Sequence, residues 1–201
     1  IFFESQAQNL LKSPNIVIFY MDDMAYADMT ITGAIGYRTP NLDRLAHDGA
    51  LFTQYYSPAP VCSASRAGLL TGCYPARVGI TGVLFPNSKK GLNPAEEIIP
   101  ELLKKKKYTS CAIGKWHLGD NDKFMPMQQG FDEYYGLPYS NDMWPFGNAK
   151  RGDKTPSVTQ TDPPLWLYEG NKKVQEIKCI GRLKSPMYKS LKSLQVRVAM
   201  I

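Results

Sequence analysis

A cysteine and an arginine lie four residues apart in the run CSASRAGLLTG, from Cys62 to Gly72. If a helix begins near Cys62, this spacing puts Cys62 and Arg66 on one face. The first turn of a helix also leaves backbone N–H groups unpaired, and these favour an anion. A sulfur nucleophile, or an oxidised derivative of it, one turn from a cation indicates a pocket for an oxyanion. The alternative is structural, because cysteine is among the residue types most often buried.

Two adjacent carboxylates, Asp22 and Asp23, follow the apolar run NIVIFYM at positions 15–21. The run predicts a buried strand of an α/β sheet, and ligands of such sheets bind beyond the carboxyl ends of the strands. Neighbouring like charges favour a cation between them, and oxygen ligands suit Ca²⁺ or Mg²⁺. The alternative is an N-cap and turn pair that opens the next segment.

A lysine and a histidine lie two residues apart in GKWHLG, from Gly114 to Gly119, directly after a second predicted strand at positions 108–113. In extended backbone Lys115 and His117 point to the same side. Lysine neutralises the charge of an anionic substrate, and histidine moves a proton near neutral pH. Taken alone, such a pair is more often a surface feature. The strand before this pair and the glycine on each side of it make the hexapeptide a more specific pattern than the pair alone.

The three motifs together resemble those of type I sulfatases, in which the cysteine of Cys-x-Pro/Ala-x-Arg is converted to formylglycine. GKWHLG matches the second signature of that family at all six positions. The run DDMAYAD, from Asp22 to Asp28, is similar to the family pattern Asp-Asp-x-Gly-Tyr-Gly-Asp, with Ala25 and Ala27 in place of the glycines. If either position requires φ > 0, alanine strains the metal loop.

Two further segments carry the resemblance in the family's order. TPNLDRLAHDG, at positions 39–49, predicts a helix with proline just inside its start and Gly49 at its end. GFDEYYG, at positions 130–136, is similar to the segment that follows the lysine–histidine motif. The resemblance therefore runs from about position 14 to about position 144, with weaker similarity as far as Lys178.

The resemblance implies a sulfuric ester hydrolase in which formylglycine at position 62 is the nucleophile. It implies catalytic roles for Cys62, Arg66, Lys115 and His117, and metal ligation by Asp22, Asp23 and Cys62. The implied metal is Ca²⁺, with Mg²⁺ as the alternative. The implied partners are an aryl or carbohydrate sulfate ester and a formylglycine-generating or anaerobic maturase enzyme. Two other functions stay open: a phosphonate or phosphodiester hydrolase of the same superfamily, and an inactive truncated homologue.

Alternating strand and helix patterns predict an α/β fold with a mixed, largely parallel sheet flanked by helices, resembling the alkaline phosphatase-like fold. We expect this fold to be incomplete, since arylsulfatases are more than twice as long, and we therefore expect little activity from the chain alone. We interpret residues 1–13 as a signal-peptide remnant or N-terminal extension and 14–178 as the N-terminal part of a sulfatase catalytic domain. Residues 179–201 read as a divergent tail from truncation or a frameshift.

The net charge of +6 does not indicate nucleic-acid binding, because zinc-finger spacing and interleaved basic and aromatic residues are both missing from the sequence. Part of the positive charge, Lys104 to Lys107, ends a helix predicted from Pro94, where cations suit the helix C-terminus. No apolar stretch reaches the roughly 18 residues of a membrane span. The small residues near position 7 favour a secreted, periplasmic or lysosomal protein. The four cysteines predict no disulfide framework.

Overall fold

The computed structural model describes residues 13–145 and 162–177, together with the backbone of 198–200. Its strands form one six-stranded sheet in the order β1-β6-β2-β3-β4-β5. The strands are β1 Ile16–Ile18, β2 Ser110–Lys115, β3 Glu133–Leu137, β4 Trp166–Glu169, β5 Lys172–Glu176 and β6 Val198–Met200. The first four strands in spatial order are parallel to one another. β4 pairs antiparallel with both of its neighbours, β3 and β5. This confirms the mixed, largely parallel sheet.

Three α-helices accompany the sheet: α1 Pro40–Asp48, α2 Cys62–Thr71 and α3 Ile99–Lys104. Helix α1 has the predicted bounds, with proline at its first position and Gly49 after its last. Helix α2 begins at Cys62, as predicted. It ends at Gly72, whose φ of 66° is a left-handed conformation that glycine adopts without strain. Short 3₁₀ turns occupy Tyr26–Asp28, Thr30–Thr32, Asp122–Phe124 and Pro126–Gln128.

The prediction that a helix begins at Pro94 is wrong, because α3 begins five residues later. Asn93 forms a turn there, in which its side chain accepts a hydrogen bond from the Ala95 N–H at 3.1 Å. The carboxylate of Glu101 then accepts a hydrogen bond from the Ile98 N–H at 2.9 Å, which satisfies a backbone donor at the start of α3. The turn and this contact together set the helix start.

The first strand is shorter and more exposed than predicted. Its prediction as a strand is confirmed, but Val17 is 52% exposed and Phe19, just after it, is 58% exposed. β1 is an edge strand of the sheet and is covered on one side only. An apolar run alone does not reveal this, because it reports side-chain chemistry and not the number of neighbouring strands.

The core consists of two clusters on opposite faces of β3. Tyr134 packs in the first cluster, with α2 residues such as Ala64 and Leu70. Its neighbour Tyr135 packs in the second, with Leu167 and others. Successive strand residues point to opposite faces, so β3 contributes to both clusters. Helix α2 therefore lies against one face of the sheet, where its first turn comes close to the carboxyl end of β2.

A pair of glycines sets the distance between β2 and β3. Gly114 lies opposite Gly136 in the parallel register, and a Cβ on Gly136 would overlap the carbonyl oxygen of Gly114. Only glycine allows the two backbones to approach this closely. The approach occurs one residue before Lys115, the last residue of β2, and so fixes where that lysine leaves the sheet.

Several expectations concern residues outside the described ranges, among them most of the predicted N-terminal extension, most of the predicted tail, and Cys179. Cys62, Cys73 and Cys111 are free thiols. Among the helices that the structure describes, none combines the length and apolar character needed to cross a membrane.

Candidate active site

The start of α2 and the end of β2 are joined by a hydrogen bond from Arg66. Its Nη1 donates to the Lys115 carbonyl at 2.6 Å. Cys62 is the first residue of α2 and is partly buried. Because α2 buries its opposite side in the first core cluster, Cys62 and Arg66 are held at the carboxyl end of the sheet.

The ammonium of Lys115 is the centre of a cluster of polar side chains. It donates to the Asp22 carboxylate, and lies 3.5 Å from Cys62 Sγ and 3.4 Å from Ser140 Oγ. Arg66 Nη2 lies 3.6 Å from the other Asp22 oxygen. Four of the residues singled out from the sequence therefore meet here: Asp22, Cys62, Arg66 and Lys115, which we call the Cys62 cluster.

The two cations keep Asp22 ionised. Partial burial by itself raises the pKa of this carboxyl, but the hydrogen bond and charge of Lys115, followed by the charge of Arg66, outweigh burial. The pKa of Asp22 consequently lies below its ordinary value of 3.8. The side chains of Lys115 and Arg66 are only 11% and 14% exposed, against 39% for Asp22. The cluster thus presents two largely buried cations behind one carboxylate.

His117 lies beside this cluster but makes no hydrogen bond to its members. Its φ of 60° shows a left-handed backbone, so the prediction of an extended backbone at this position is wrong. The ring is 1% exposed, and its Nε2 lies 2.9 Å from the Leu84 carbonyl. A carbonyl only accepts, so Nε2 carries the proton. Nδ1 has no hydrogen-bond partner among the described residues.

Burial and nearby cations make the imidazole of His117 neutral at pH 7. Burial is the main cause that lowers its pKa, to about 4, and the charges of Lys115 and Arg66 act in the same direction. The Leu84 carbonyl and Asp22 oppose this shift but do not offset it. The ring therefore presents an unprotonated Nδ1, which is the form that accepts a proton.

An open cavity of about 460 Å³ brings Asp23 together with Asp22 and Cys62. Asp23 has a φ of 57°, a conformation that aspartate tolerates better than most residues. Much of the cavity wall is aromatic and comes from residues before α2: Tyr20, Tyr26, Phe52 and Tyr55. Two members of the Cys62 cluster, Asp22 and Cys62, therefore face this open cavity.

The two alanines of the acidic loop are not strained. Ala25 has φ −81° and Ala27 has φ −87°, both ordinary values for an L residue. The strain expected for alanine at a glycine position is therefore not found, because neither residue adopts a left-handed backbone.

Asp22 and Asp23 have the oxygen chemistry that Ca²⁺ prefers, and both face the cavity that Cys62 lines. Two carboxylates supply at most four oxygens, whereas Ca²⁺ takes six to eight. Within the part of the chain that the structure describes, no group of three or more histidine, cysteine and acidic side chains is placed to hold a metal. The pair fits part of a calcium site, and the predicted ligand set stays a prediction.

A chain of hydroxyl groups beside Cys62 was not predicted from the sequence. The Tyr20 and Ser57 hydroxyls both hydrogen-bond to Ser65 Oγ, and the Tyr20 ring lies 5.7 Å from the Arg66 guanidinium carbon. Tyr20 lies two residues before the acidic pair, and this position was a signal that it belongs to the candidate site. Ser57 had no local signal, because its role depends on a contact with α2.

These positions lie within a recognised family pattern. The sulfatase family model matches residues 14–158, which is well over half of the chain. The chain belongs to the sulfatase family. The resemblance inferred from the motifs is confirmed, and the family match ends beyond the GFDEYYG segment.

Relatives and solved structures agree with this assignment. N-acetylgalactosamine-6-sulfatase of Mus musculus is 46% identical over 133 residues, which cover 62% of this chain and 26% of the relative. Arylsulfatase A of Homo sapiens is 44% identical over 140 residues, which cover 68% of this chain and 28% of the relative. The chain thus spans about a quarter of the length of these relatives.

The fold is shared with two crystal structures. The PsFucS1 sulfatase from Pseudoalteromonas sp. superposes with a TM-score of 0.74 at 28% identity, covering 94% of this chain and 43% of its own. Ps i-CgsB, in complex with k-i-k-neocarrahexaose, superposes with a TM-score of 0.70 at 29% sequence identity. The match covers 94% of this chain and 44% of the Ps i-CgsB chain. The expected sulfatase fold, which is alkaline phosphatase-like, is confirmed.

Proposed function

We propose that this chain contributes to sulfate ester hydrolysis, with formylglycine derived from Cys62 as the nucleophile. One observation carries the proposal: Cys62 begins α2, with its Sγ 3.5 Å from Lys115 Nζ and Arg66 one turn further along. A nucleophile next to two largely buried cations suits a substrate that brings negative charge. Family membership supports the same chemistry.

The proposed nucleophile requires a covalent change at Cys62. A formylglycine-generating or anaerobic maturase enzyme would oxidise the side-chain carbon of Cys62 by two electrons, with an electron acceptor that the maturase supplies. The sulfur leaves as sulfide and an aldehyde remains, whose hydrate is a geminal diol. One diol oxygen then occupies the region of Sγ, where Lys115 lies close enough to act on it. The partly buried position of Cys62 at the cavity wall is consistent with a residue that an enzyme and then a substrate must reach.

Hydrolysis then follows in two steps. One diol hydroxyl loses its proton and attacks the sulfate sulfur, the ester S–O bond breaks, the alcohol leaves with a proton, and the sulfate stays covalently bound to the diol oxygen. His117, whose neutral ring offers Nδ1, takes the proton of the second diol oxygen. The C–O bond to the sulfate breaks and the aldehyde re-forms, which a serine in this place could not achieve.

The charged side chains oppose the negative charge that accompanies these steps. Lys115 and Arg66 already neutralise Asp22, and we propose that they act in the same way on the sulfate oxygens. Ca²⁺ or Mg²⁺ held by Asp22 and Asp23, with the modified residue 62 as a third ligand, would neutralise sulfate charge and lower the pKa of the attacking hydroxyl.

We propose an aryl or carbohydrate sulfate as the substrate class. The cavity beside Cys62 has exposed aromatic walls, with Tyr26 65% and Phe52 77% exposed, and such rings stack on flat or sugar-like groups. The neighbouring structure of Ps i-CgsB contains k-i-k-neocarrahexaose, which supports a carbohydrate. We also propose a secreted, periplasmic or lysosomal location, in keeping with the small residues near the start of the sequence.

The first experiment measures the mass of the peptide containing Cys62 after expression with a formylglycine-generating enzyme. Conversion of the thiol to the aldehyde is the expected result, and an unmodified thiol would overturn the formylglycine mechanism. The modified chain and a Cys62→Ala control are then assayed on matched aryl sulfate and aryl phosphonate esters. Faster cleavage of the sulfate, lost in the control, supports the proposal. Faster cleavage of the phosphonate would indicate a phosphonate hydrolase. If neither ester is cleaved, the chain is an inactive homologue.

A further inference from the structure

Two buried polar atoms near the Cys62 cluster have no hydrogen-bond partner among the described residues: Arg66 Nε and the hydroxyl oxygen of Tyr134. Tyr134 is only 3% exposed, in the first core cluster. Buried polar groups are normally satisfied by protein or by ordered water, because an unsatisfied one destabilises the fold. Two such atoms close together need a common explanation.

Arg66 and Tyr134 line the same small cavity, of about 20 Å³. It lies between α2 and the end of β2, where Leu70 and the segment 112–116 form other parts of its wall. A cavity needs roughly 10–15 Å³, measured for a water-sized probe, to hold one water molecule, and the water needs two to four polar partners. The cavity has the volume for one water, and two of the side chains that line it each carry one buried polar atom, Arg66 Nε and the Tyr134 hydroxyl, without a hydrogen-bond partner among the described residues.

The two side chains also interact electrostatically. Burial raises the pKa of the Tyr134 hydroxyl well above its ordinary value, and the charge of Arg66 acts in the opposite direction. The charge effect shows that the two groups interact through the low-dielectric core, and the cavity that both side chains line supplies the geometry of the proposed bridge.

We propose that this cavity holds one ordered water that accepts a hydrogen bond from Arg66 Nε–H and also bonds to the Tyr134 hydroxyl. The other two guanidinium nitrogens already have partners, since Nη1 donates to the Lys115 carbonyl and Nη2 faces Asp22. With the water, every nitrogen of Arg66 is engaged. The guanidinium plane is then held against rotation, and Tyr134 is a positioning residue for Arg66.

Phenylalanine at position 134 would fill the same space against α2, but it would leave the water with Arg66 as its only side-chain partner. Tyr135 provides the matched comparison. Its hydroxyl is also buried without a hydrogen-bond partner among the described residues, yet it belongs to the second core cluster and does not line this cavity. Tyr134→Phe and Tyr135→Phe therefore remove the same atom from opposite faces of β3.

The test uses the full 201-residue chain with ¹⁵N-labelled arginine. Nuclear magnetic resonance measures magnetisation transfer from water to the Arg66 Nε–H, whose signal is assigned by its loss in Arg66→Lys. We expect a cross-peak from a long-lived water in the wild type and in Tyr135→Phe, and its loss in Tyr134→Phe. A wild type without the cross-peak, or a Tyr134→Phe variant that keeps it, would overturn the proposal.

A second measurement needs no variant and so does not depend on the folding of Tyr134→Phe. In the wild type, the Tyr134 hydroxyl proton must show a cross-peak to the same long-lived water. If Arg66 Nε–H contacts such a water and the hydroxyl proton does not, the bridge to Tyr134 is wrong.

The positioning role is tested with sulfate ion by calorimetry, and this part rests on the proposed function. We expect Tyr134→Phe to weaken sulfate binding roughly two- to tenfold, the range of one net hydrogen bond, and Tyr135→Phe to leave it unchanged. Equal affinities in all three proteins would overturn the positioning role while leaving the water site in place. A wild type that binds no sulfate would count against the proposed function instead, and the magnetic resonance result would still decide the water site.

Discussion

The two halves of the candidate site lie in regions of very different burial. Residues 13–61 contain the acidic pair and no fully buried side chain, and large apolar residues there, such as Ile35 at 93%, are exposed. Residues 62–145 contain Cys62, the proposed nucleophile, and the cations together with the whole first core cluster. The cationic half is therefore held by packing, whereas the acidic half is held by a few polar contacts.

This difference has an energetic meaning. A region with few buried apolar contacts opens locally at low free-energy cost, whereas a packed core opens only with global unfolding. Lys115 and Arg66 are fixed before any ligand arrives, and Asp22 is attached to them by charge. Changes in the cationic half should thus affect chemistry and stability strongly, and changes in the acidic loop should affect stability weakly.

The largest effect is expected for Lys115→Met. Removing one preorganised donor from a site for developing negative charge lowers turnover about 10²–10³-fold, so aryl sulfate hydrolysis by the modified chain should fall by that factor. Lys104→Met is the matched control, because Lys104 also pairs with an aspartate, Asp132, at 2.9 Å but on the surface. Equal activity of Lys115→Met and the wild type would show that the buried half does not carry the chemistry.

Gly136→Ala should be the most destabilising of the small substitutions. A Cβ there overlaps the Gly114 carbonyl and forces β2 away from β3, so the free energy of unfolding should fall by about 3 kcal/mol or more, the upper range for overpacking. Urea denaturation measures this. Gly82→Ala adds a Cβ with no atom within 4 Å and should change stability by less than about 0.5 kcal/mol. A similar loss in both variants would refute the close approach.

Because His117 is buried in its neutral form, the free energy of unfolding should depend on pH. Its pKa is about 4 when folded and 6.5 when exposed, so the unfolded state binds more protons between these values and stability falls as the pH decreases. The free energy of unfolding should drop by about 2 kcal/mol between pH 7 and pH 4.5 from this group. Its contribution is complete above pH 6.5 and is lost as the pH falls toward 4.

The chain has only two histidines, and the second provides the control. His47 lies on an exposed part of α1. His117→Asn, in which asparagine tolerates the left-handed backbone, should flatten the pH profile, while His47→Asn should leave it unchanged. An unaltered profile in His117→Asn would mean that the imidazole is not buried in its neutral form.

The smallest effects are expected in the acidic loop. Asp22→Asn removes the partner of two cations, but Asp22 is 39% exposed and solvent screens the pair, so we expect a loss of about 1 kcal/mol at pH 7. Since its folded pKa is lowered, that contribution is present above pH 3.8 and disappears as the pH falls through the folded value. Asp23→Asn should change the free energy of unfolding by less than about 0.5 kcal/mol. If urea denaturation shows the same loss in the free energy of unfolding for Asp22→Asn and Asp23→Asn, the contrast between the two carboxylates is wrong.

The sequence predicted well the features that depend on nearby residues. The bounds of α1 follow from the proline at its start and the glycine after its end, and the strand that ends at Lys115 follows from an apolar pattern, both of which act over a few positions. These features also brought Cys62, Arg66 and Lys115 together, because the ends of parallel elements meet at one edge of a sheet. Asp22 joined them for the same reason.

The features that the sequence did not reveal depend on residues far apart in the chain. The contact of Ser57 with Ser65 and the exposure of β1 have no local pattern. The backbone of His117 is left-handed, which a motif match does not report. Strand β6, from Val198 to Met200, lies in a segment that carries no family pattern. Its place in the sheet is set by pairing with β1 and β2.

That position of β6 has a consequence for how the chain assembles. β1 precedes α2, β2 and β3 in the chain, yet its strand partner among the described residues, β6, lies about 180 residues later. Closing so long a loop is slow, whereas α2, β2 and β3 lie closer together in sequence and form the packed region among themselves. Asp22 lies four residues after the end of β1. We therefore expect this carboxylate to reach its lysine and arginine only after the cationic half has formed.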